Sequence, residues 1–156
     1  MDRSFCIVIG GNEASLVVAG RLQTLGFATK LVTRKFSKQV NTLHLRGWGK
    51  LENLSIEHLD ELDHNRISLV LFSVYTYDLI GAAMRYLPYI PTNIPLIVVC
   101  QGAVSLILKK LINRYPSHQW RLASPDFEVS SRSDGVYEII EDAGYLYWGL
   151  SPSFMN

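Results

Sequence analysis

Apolar and polar positions along these 156 residues fall into alternating blocks of two periods. Phe5-Cys6-Ile7-Val8-Ile9 is apolar throughout, as a strand is when both faces of its sheet are covered, and it predicts a first strand over about residues 4–10. A helix follows over about 13–25, with Ala14, Val17, Val18, Leu22 and Leu25 spaced to share one face. Gly26 stops it with a residue that tolerates a left-handed cap. Thr29 to Thr33 reads as a second strand, so residues 4–33 have the length of one strand–helix–strand crossover. Residues 39–55 alternate apolar and polar side chains around Gly47 and Gly49, which suggests a hairpin-like pair or a short irregular strand. Ile56, Leu59 and Leu62 have the spacing of a short helix.

The second half repeats the alternation. Ile67 to Val74 is the most apolar strand, and a helix from about Asp78 to Leu87 turns Leu79, Ile80, Ala83, Met84 and Leu87 inward. Pro88, Pro91 and Pro95 close that helix and frame a strand from Leu96 to Cys100. After Gln101-Gly102 comes a helical stripe of Val104, Ile107, Leu108, Leu111, Ile112 and Tyr115. From Trp120 onward the period becomes two. Trp120–Ala123, Phe127–Ser130, Val136–Glu141 and Tyr145–Trp148 read as four short strands, the last two joined through Asp142-Ala143-Gly144. Alternating β and α elements followed by a β-rich tail predict an α/β fold. It is a Rossmann-like doubly wound parallel sheet with helices on both faces and extra antiparallel strands at the C-terminal end.

The first strand-to-helix turn is the stretch that can carry chemistry. Rossmann-type folds hold a dinucleotide pyrophosphate at such a turn, on the pattern G-x-G-x-x-G. Here it reads Gly10-Gly11-Asn12-Glu13-Ala14-Ser15. Gly10 keeps the tight-turn position, Asn12 replaces the second glycine, and Ser15, the third, is small enough for close helix packing. Asn accepts left-handed backbone better than most residues, so the turn survives the replacement. Glu13 places a carboxylate where it competes with phosphate for the positive helix end. A plain turn capped by Asn12, with no ligand, accounts for the motif equally well.

Arg34 and Lys35 follow the second strand, where an acidic residue would bind the ribose hydroxyls of NAD; basic residues there suit the 2′-phosphate of NADP. With Lys30 and Lys38 they are the most localised positive cluster in the chain, although a solvated loop looks the same. Tyr75 and Gln101-Gly102 stand at the next two strand ends, where ligands of parallel sheets bind, although Tyr75 and Tyr77 also suit covering a sheet edge. No nucleophile, metal or acid–base arrangement emerges. His44, His58, His64 and His118 are scattered through polar segments and read as surface residues, and Asp60, Glu61 and Asp63 as a solvated face.

Composition narrows the picture. Hydrophobic residues at 48% and charged residues at 19% are globular values, and one domain spanning 1–156 can bury its own core. A net charge of +1 gives no general pull towards nucleic acid or anionic membrane, so neither is an expected partner. Cys6 and Cys100 each sit in an apolar run and read as buried thiols. No signal-peptide pattern precedes the first strand, so a cytoplasmic location is expected.

The order of these features resembles the N-terminal, NADP-binding domain of the ketopantoate reductase (2-dehydropantoate 2-reductase) family. The glycine turn at Gly10, the arginine after strand two at Arg34, the strand ending at Tyr75 and the Gln101-Gly102 turn follow that family's order. Asp134-Gly135, Gly144 and Gly149 match the glycine-spaced strands that close the domain. The resemblance covers nearly the whole chain. It implies NADP as cofactor, with Gly10, Gly11, Asn12, Glu13 and Ala14 around the pyrophosphate and Arg34, with Lys35 beside it, at the 2′-phosphate. Gln101, beside Gly102, stands where the family has an asparagine near the nicotinamide ribose. Tyr75 replaces a cofactor-contacting lysine. The family's catalytic lysine and glutamate belong to a helical C-terminal domain that a sequence ending at Asn156 does not include. The expectation is therefore either a dinucleotide-binding domain that does not catalyse reduction alone, or a non-catalytic interaction module that has lost nucleotide. A homodimer suits both, with Tyr145, Tyr147, Trp148, Leu150 and Phe154 as the candidate apolar surface.

Overall fold

A computed structural model describes residues 4–33, 40–45, 49–56, 62–100, 104–131 and 137–149. In chain order the main elements begin with β1 (Phe5–Ile9), α1 (Glu13–Thr24), β2 (Thr29–Val32), β3 (Val40–Leu45) and β4 (Gly49–Ile56). They continue with β5 (Ile67–Phe72), α2 (Leu79–Tyr86), β6 (Pro95–Val99), α3 (Ser105–Arg114), β7 (Gln119–Ser131) and β8 (Tyr137–Gly149). Neighbouring strands run in the order β4-β2-β1-β5-β6-β7, all parallel. β3 joins β4 and β8 joins β7, both antiparallel. One residue pair, Leu45 opposite Tyr137, links β3 to β8 and closes the strand order into a ring.

Alternation along the central strands sorts the core onto two faces, since successive side chains of a strand point oppositely. Ile7, Ile9, Val70, Phe72, Leu96 and Val98 pack on the side of α2 and α3, against Leu79, Ala83, Leu87, Leu108 and Leu111. Val8, Leu71, Ile97 and Val99 pack on the other side, against Leu16 and Val17 of α1. The chain thus leaves β1 over one face to reach β2, then returns to the opposite edge of β1 with β5. That reversal makes the crevice between the carboxyl ends of β1 and β5 the switch point of the sheet.

Several expectations change. α1 is buried all the way from Ser15 to Gly20 because it also packs against β7, so a single apolar stripe underestimates its cover. Leu25, expected inward, is 62% exposed. The helix ends in a Schellman motif, with Gly26 at φ 87°, the Gly26 amide donating to Gln23 and the Phe27 amide to Leu22, which turns Leu25 outward. Met84 is exposed rather than inward. Ile56 lies in β4 opposite Leu31 of β2, not in a helix, because a parallel partner strand was there to take it; Leu59 lies outside the described residues. The four short tail strands are two strands of 13 residues each, and β8 runs unbroken through Asp142-Ala143-Gly144. Bulge-like register shifts, between Pro125 and Phe127 and between Glu128 and Val129, absorb the irregularities that looked like breaks. His64 and His118 are half-buried: His118 stands edge-on to Trp120 at 6.4 Å between ring centres, and burial holds its pKa below the usual value.

Leu108 is fully buried and Leu106, two residues earlier on α3, is 73% exposed. Leu108→Ala is expected to cost about 2–5 kcal/mol and Leu106→Ala no more than about 0.5, read from urea unfolding. Equal losses would contradict the packing described.

Candidate functional site at the carboxyl end of the sheet

The chain leaves β1 under tight constraint. The Gly10 amide still donates to Val32 of β2 at 3.1 Å, and the Ser73 amide donates to Ile9 at 2.8 Å. A Cβ on Gly10 would lie 2.1 Å from the Ser73 carbonyl oxygen and 2.7 Å from the Ser15 Cβ. Glycine is therefore required at position 10 by the packing of β1, β5 and α1, before any ligand is considered.

Asn12 then starts the helix. Its backbone is extended (φ −98°, ψ 171°), not left-handed, because it acts as the N-cap. Its Oδ1 accepts the Ser15 amide at 2.8 Å, and the Ser15 hydroxyl donates back to the Asn12 carbonyl at 2.6 Å. The side chain of Ser15 is thus both small enough for the Gly10 contact and part of the cap. The cap occupies the Ser15 amide; helix geometry leaves the amides of Glu13 and Ala14 without intrahelical acceptors.

Two clefts meet over this turn. The first, about 350 Å³, lies between the ends of β1 and β2 and one face of α2. Gly10, Gly11, Asn12, Val32, Thr33, Tyr75, Tyr77, Asp78, Gly81, Arg85 and Tyr86 are among its lining. The second, about 340 Å³, lies between the ends of β5, β6 and β7 and is lined by Asn12, Glu13, Ala14, Ser73, Thr76, Cys100, Pro125 and Phe127, among others. Asn12, Val74 and Tyr75 line both, so the two form one groove across the switch point, each half within the size range of small-ligand pockets. Tyr75 and Tyr77, 50% and 77% exposed, stack with ring centres 5.3 Å apart at 12°, so they stand off the sheet instead of sealing its edge.

Of the residues expected from sequence, Gly10, Gly11, Asn12, Glu13, Ala14 and Tyr75 come together here. Arg34, Lys35, Gln101 and Gly102 lie outside the described residues. Their chain neighbours Thr33 and Cys100 line the first and second cleft respectively. Sequence reasoning missed the α2 wall, Asp78, Gly81, Ala82 and Arg85. The signal was available as the helix face opposite Leu79, Ala83 and Leu87. Nothing local marked Pro125 and Phe127, which reach the groove only because β7 pairs with β6. Among the described residues no cluster of three metal-ligating side chains occurs.

The chemistry of the thiol is restrained. Burial pushes Cys100 up to about 11, partly offset by a hydrogen bond with Thr76, and its Sγ donates to the Val74 carbonyl at 3.3 Å. It is a neutral thiol at physiological pH and no nucleophile. Cys6 is likewise buried and free, with its pKa raised by burial.

This groove and sheet define a Rossmann-type α/β fold. No family model matches the sequence, and no curated relative matches it. Solved structures share the fold. Over 92% of this chain and 49% of the other, it superimposes on a probable 2-dehydropantoate 2-reductase from Bacillus subtilis with a TM-score of 0.70 at 18% identity. Over 99% and 56%, it superimposes on a putative ketopantoate reductase from Ralstonia solanacearum with a TM-score of 0.74 at 14% identity. D-mandelate dehydrogenase in a ternary complex with NADH and anilino(oxo)acetate matches over 88% and 46%, with a TM-score of 0.68 at 12% identity. The chain spans about half the length of each. Its fold is the one these reductases share, as the sequence resemblance implied. No helix among the described residues is long and apolar enough to cross a membrane.

Two outcomes test this geometry. Gly10→Ala is expected to destabilise the fold by about 1–3 kcal/mol or more, measured by urea unfolding without any ligand, because backbone must move to admit the methyl. A neutral effect would contradict the close approach. For the thiol, the unfolded chain loses its Cys100 proton near the ordinary value of 9.0 and the folded chain at about 11. The stabilising contribution is therefore complete below pH 9 and falls as pH rises from 9 to 11. Folded protein should resist alkylation at pH 8 and react on unfolding; equal rates in both states would refute the burial.

Proposed function

We propose that this chain binds NADP(H) as the nucleotide-holding part of an oxidoreductase of the ketopantoate reductase type. The observation that carries this reading is the single groove crossing the capped α1 N-terminus at the switch point between β1 and β5. In it, the pyrophosphate lies across Gly10, Gly11 and Asn12, towards the open amides of Glu13 and Ala14, where the helix dipole favours negative charge. The adenosine half takes the first cleft, with Arg34 and Lys35, which follow Thr33 in sequence, at the 2′-phosphate. The nicotinamide half takes the second, with Tyr75 at the crossing and Gln101-Gly102 beyond Cys100. When bound, the cofactor supplies hydride; the chain's residues hold and orient it. The chain spans about half the length of the reductases it resembles, and it is not proposed to carry out the reduction alone. Groups beyond the described lining, in a further domain or a partner such as a second copy, complete the reaction, and a cytoplasmic setting fits such a role.

Glu13 at the positive helix end favours a second reading, in which the groove no longer takes nucleotide and the chain is an interaction or oligomerisation module. Titrating the purified chain with NADPH and NADH by calorimetry or fluorescence separates the two. NADPH binding, tighter than NADH, is expected. Absence of binding for both at millimolar levels, together with a stable homodimer or other partner in sedimentation, would replace the first reading with the second.

A further inference from the structure

α2 presents a face that the core does not use. Leu79, Ala83 and Leu87 are buried against the sheet. Asp78, Gly81, Ala82 and Arg85 line the first cleft instead. Gly81 is the anomaly on this face. A glycine inside a helix loses stability relative to alanine, and close packing is the usual compensation. Here a Cβ would meet nothing within 4 Å, and the φ of Gly81 lies outside the left-handed range. Neither folding nor backbone geometry asks for glycine at this position. Its remaining consequence is open space on the cleft wall, where a ligand can approach the helix backbone.

Arg85 stands one helical turn further along the same face. Among the described residues it is the only cation lining either cleft; Asp78, seven positions earlier, is about 10 Å away along the helix axis. The two charges are therefore at opposite ends of the wall, and an anion entering the first cleft is drawn to the Arg85 end. A guanidinium is suited to this, because its planar fork pairs phosphate oxygens two at a time.

We infer that the α2 face is a second wall of the nucleotide site, on which Arg85 binds the ribose 2′-phosphate and Gly81 leaves clearance for the ribose beside it. This rests on the dinucleotide reading above and adds a specificity-determining residue to it. Preference for NADPH over NADH then depends on α2 through Arg85.

The test compares wild type, Arg85→Ala, Arg85→Lys and Gly81→Ala for binding of NADPH, NADH, 2′,5′-ADP and ADP. Both positions are exposed, so the variants are expected to fold. Arg85→Ala should weaken NADPH and 2′,5′-ADP by roughly tenfold or more, the size of a lost charge-assisted contact, while NADH and ADP change by less than about twofold. Arg85→Lys should recover part of the loss. Gly81→Ala should raise the melting temperature by roughly 2–4 °C and weaken all four ligands. Equal losses for ligands with and without the 2′-phosphate in Arg85→Ala would mean that its contact is not the 2′-phosphate and would overturn the assignment. Unchanged affinities in Gly81→Ala would overturn the clearance. If wild type binds none of the four, the dinucleotide reading itself falls; if wild type binds and Arg85→Ala leaves the NADPH to NADH ratio unaltered, this inference alone falls.

Discussion

Between Gly10 and the carbonyl of Ser73 there is room for a hydrogen atom and nothing larger, and most of the architecture depends on that contact. It holds the end of β1 against the end of β5, where the order of strands along the sheet reverses. Because the chain must turn into α1 at once, the helix N-terminus is delivered to the crevice that the reversal opens. Asn12 and Ser15 complete the turn by capping each other across the first helical turn. The groove is thus a by-product of sheet packing: the same glycine that permits close approach of strands also bares the helix end.

This dependence limits what the glycine motif means. Gly10 would be required in a chain that bound nothing at all, since its neighbour is protein backbone. Ser15 likewise serves the cap and the close contact together. The weight of a nucleotide reading therefore falls on features that folding does not demand: two clefts joined at Asn12 and Tyr75, and a cleft-facing glycine in α2 with open space above it. Electrostatics is divided in the same way. The helix dipole and Arg85 favour an anion, whereas Glu13 and Asp78 oppose one, so the field in the groove depends on position along it and not on net charge.

Much of the sheet was legible beforehand because burial on both faces leaves continuous apolar runs, and β1, β5 and β6 have them. Helices α2 and α3 were legible through their stripes. The failures share a cause: each depends on a partner distant in sequence. Ile56 has helical spacing with Leu59 and Leu62, yet β2 recruits it as a strand residue. Asp142-Ala143-Gly144 has turn composition, yet β8 runs through it because β7 offers a long antiparallel edge. Leu25 has core character, yet the Gly26 cap turns it out.

Sequence by itself therefore determined the alternation of elements, the glycine at the first turn and the two buried thiols, because these follow from periodicity and local backbone requirements. Only the tertiary structure decided which faces were covered twice, that Asn12 would cap instead of bending left-handed, and that α2 would supply a wall of the groove with Gly81 and Arg85 on it. Those outcomes arise where segments far apart in the chain meet, and the energy of such contacts is not written in any local window of residues.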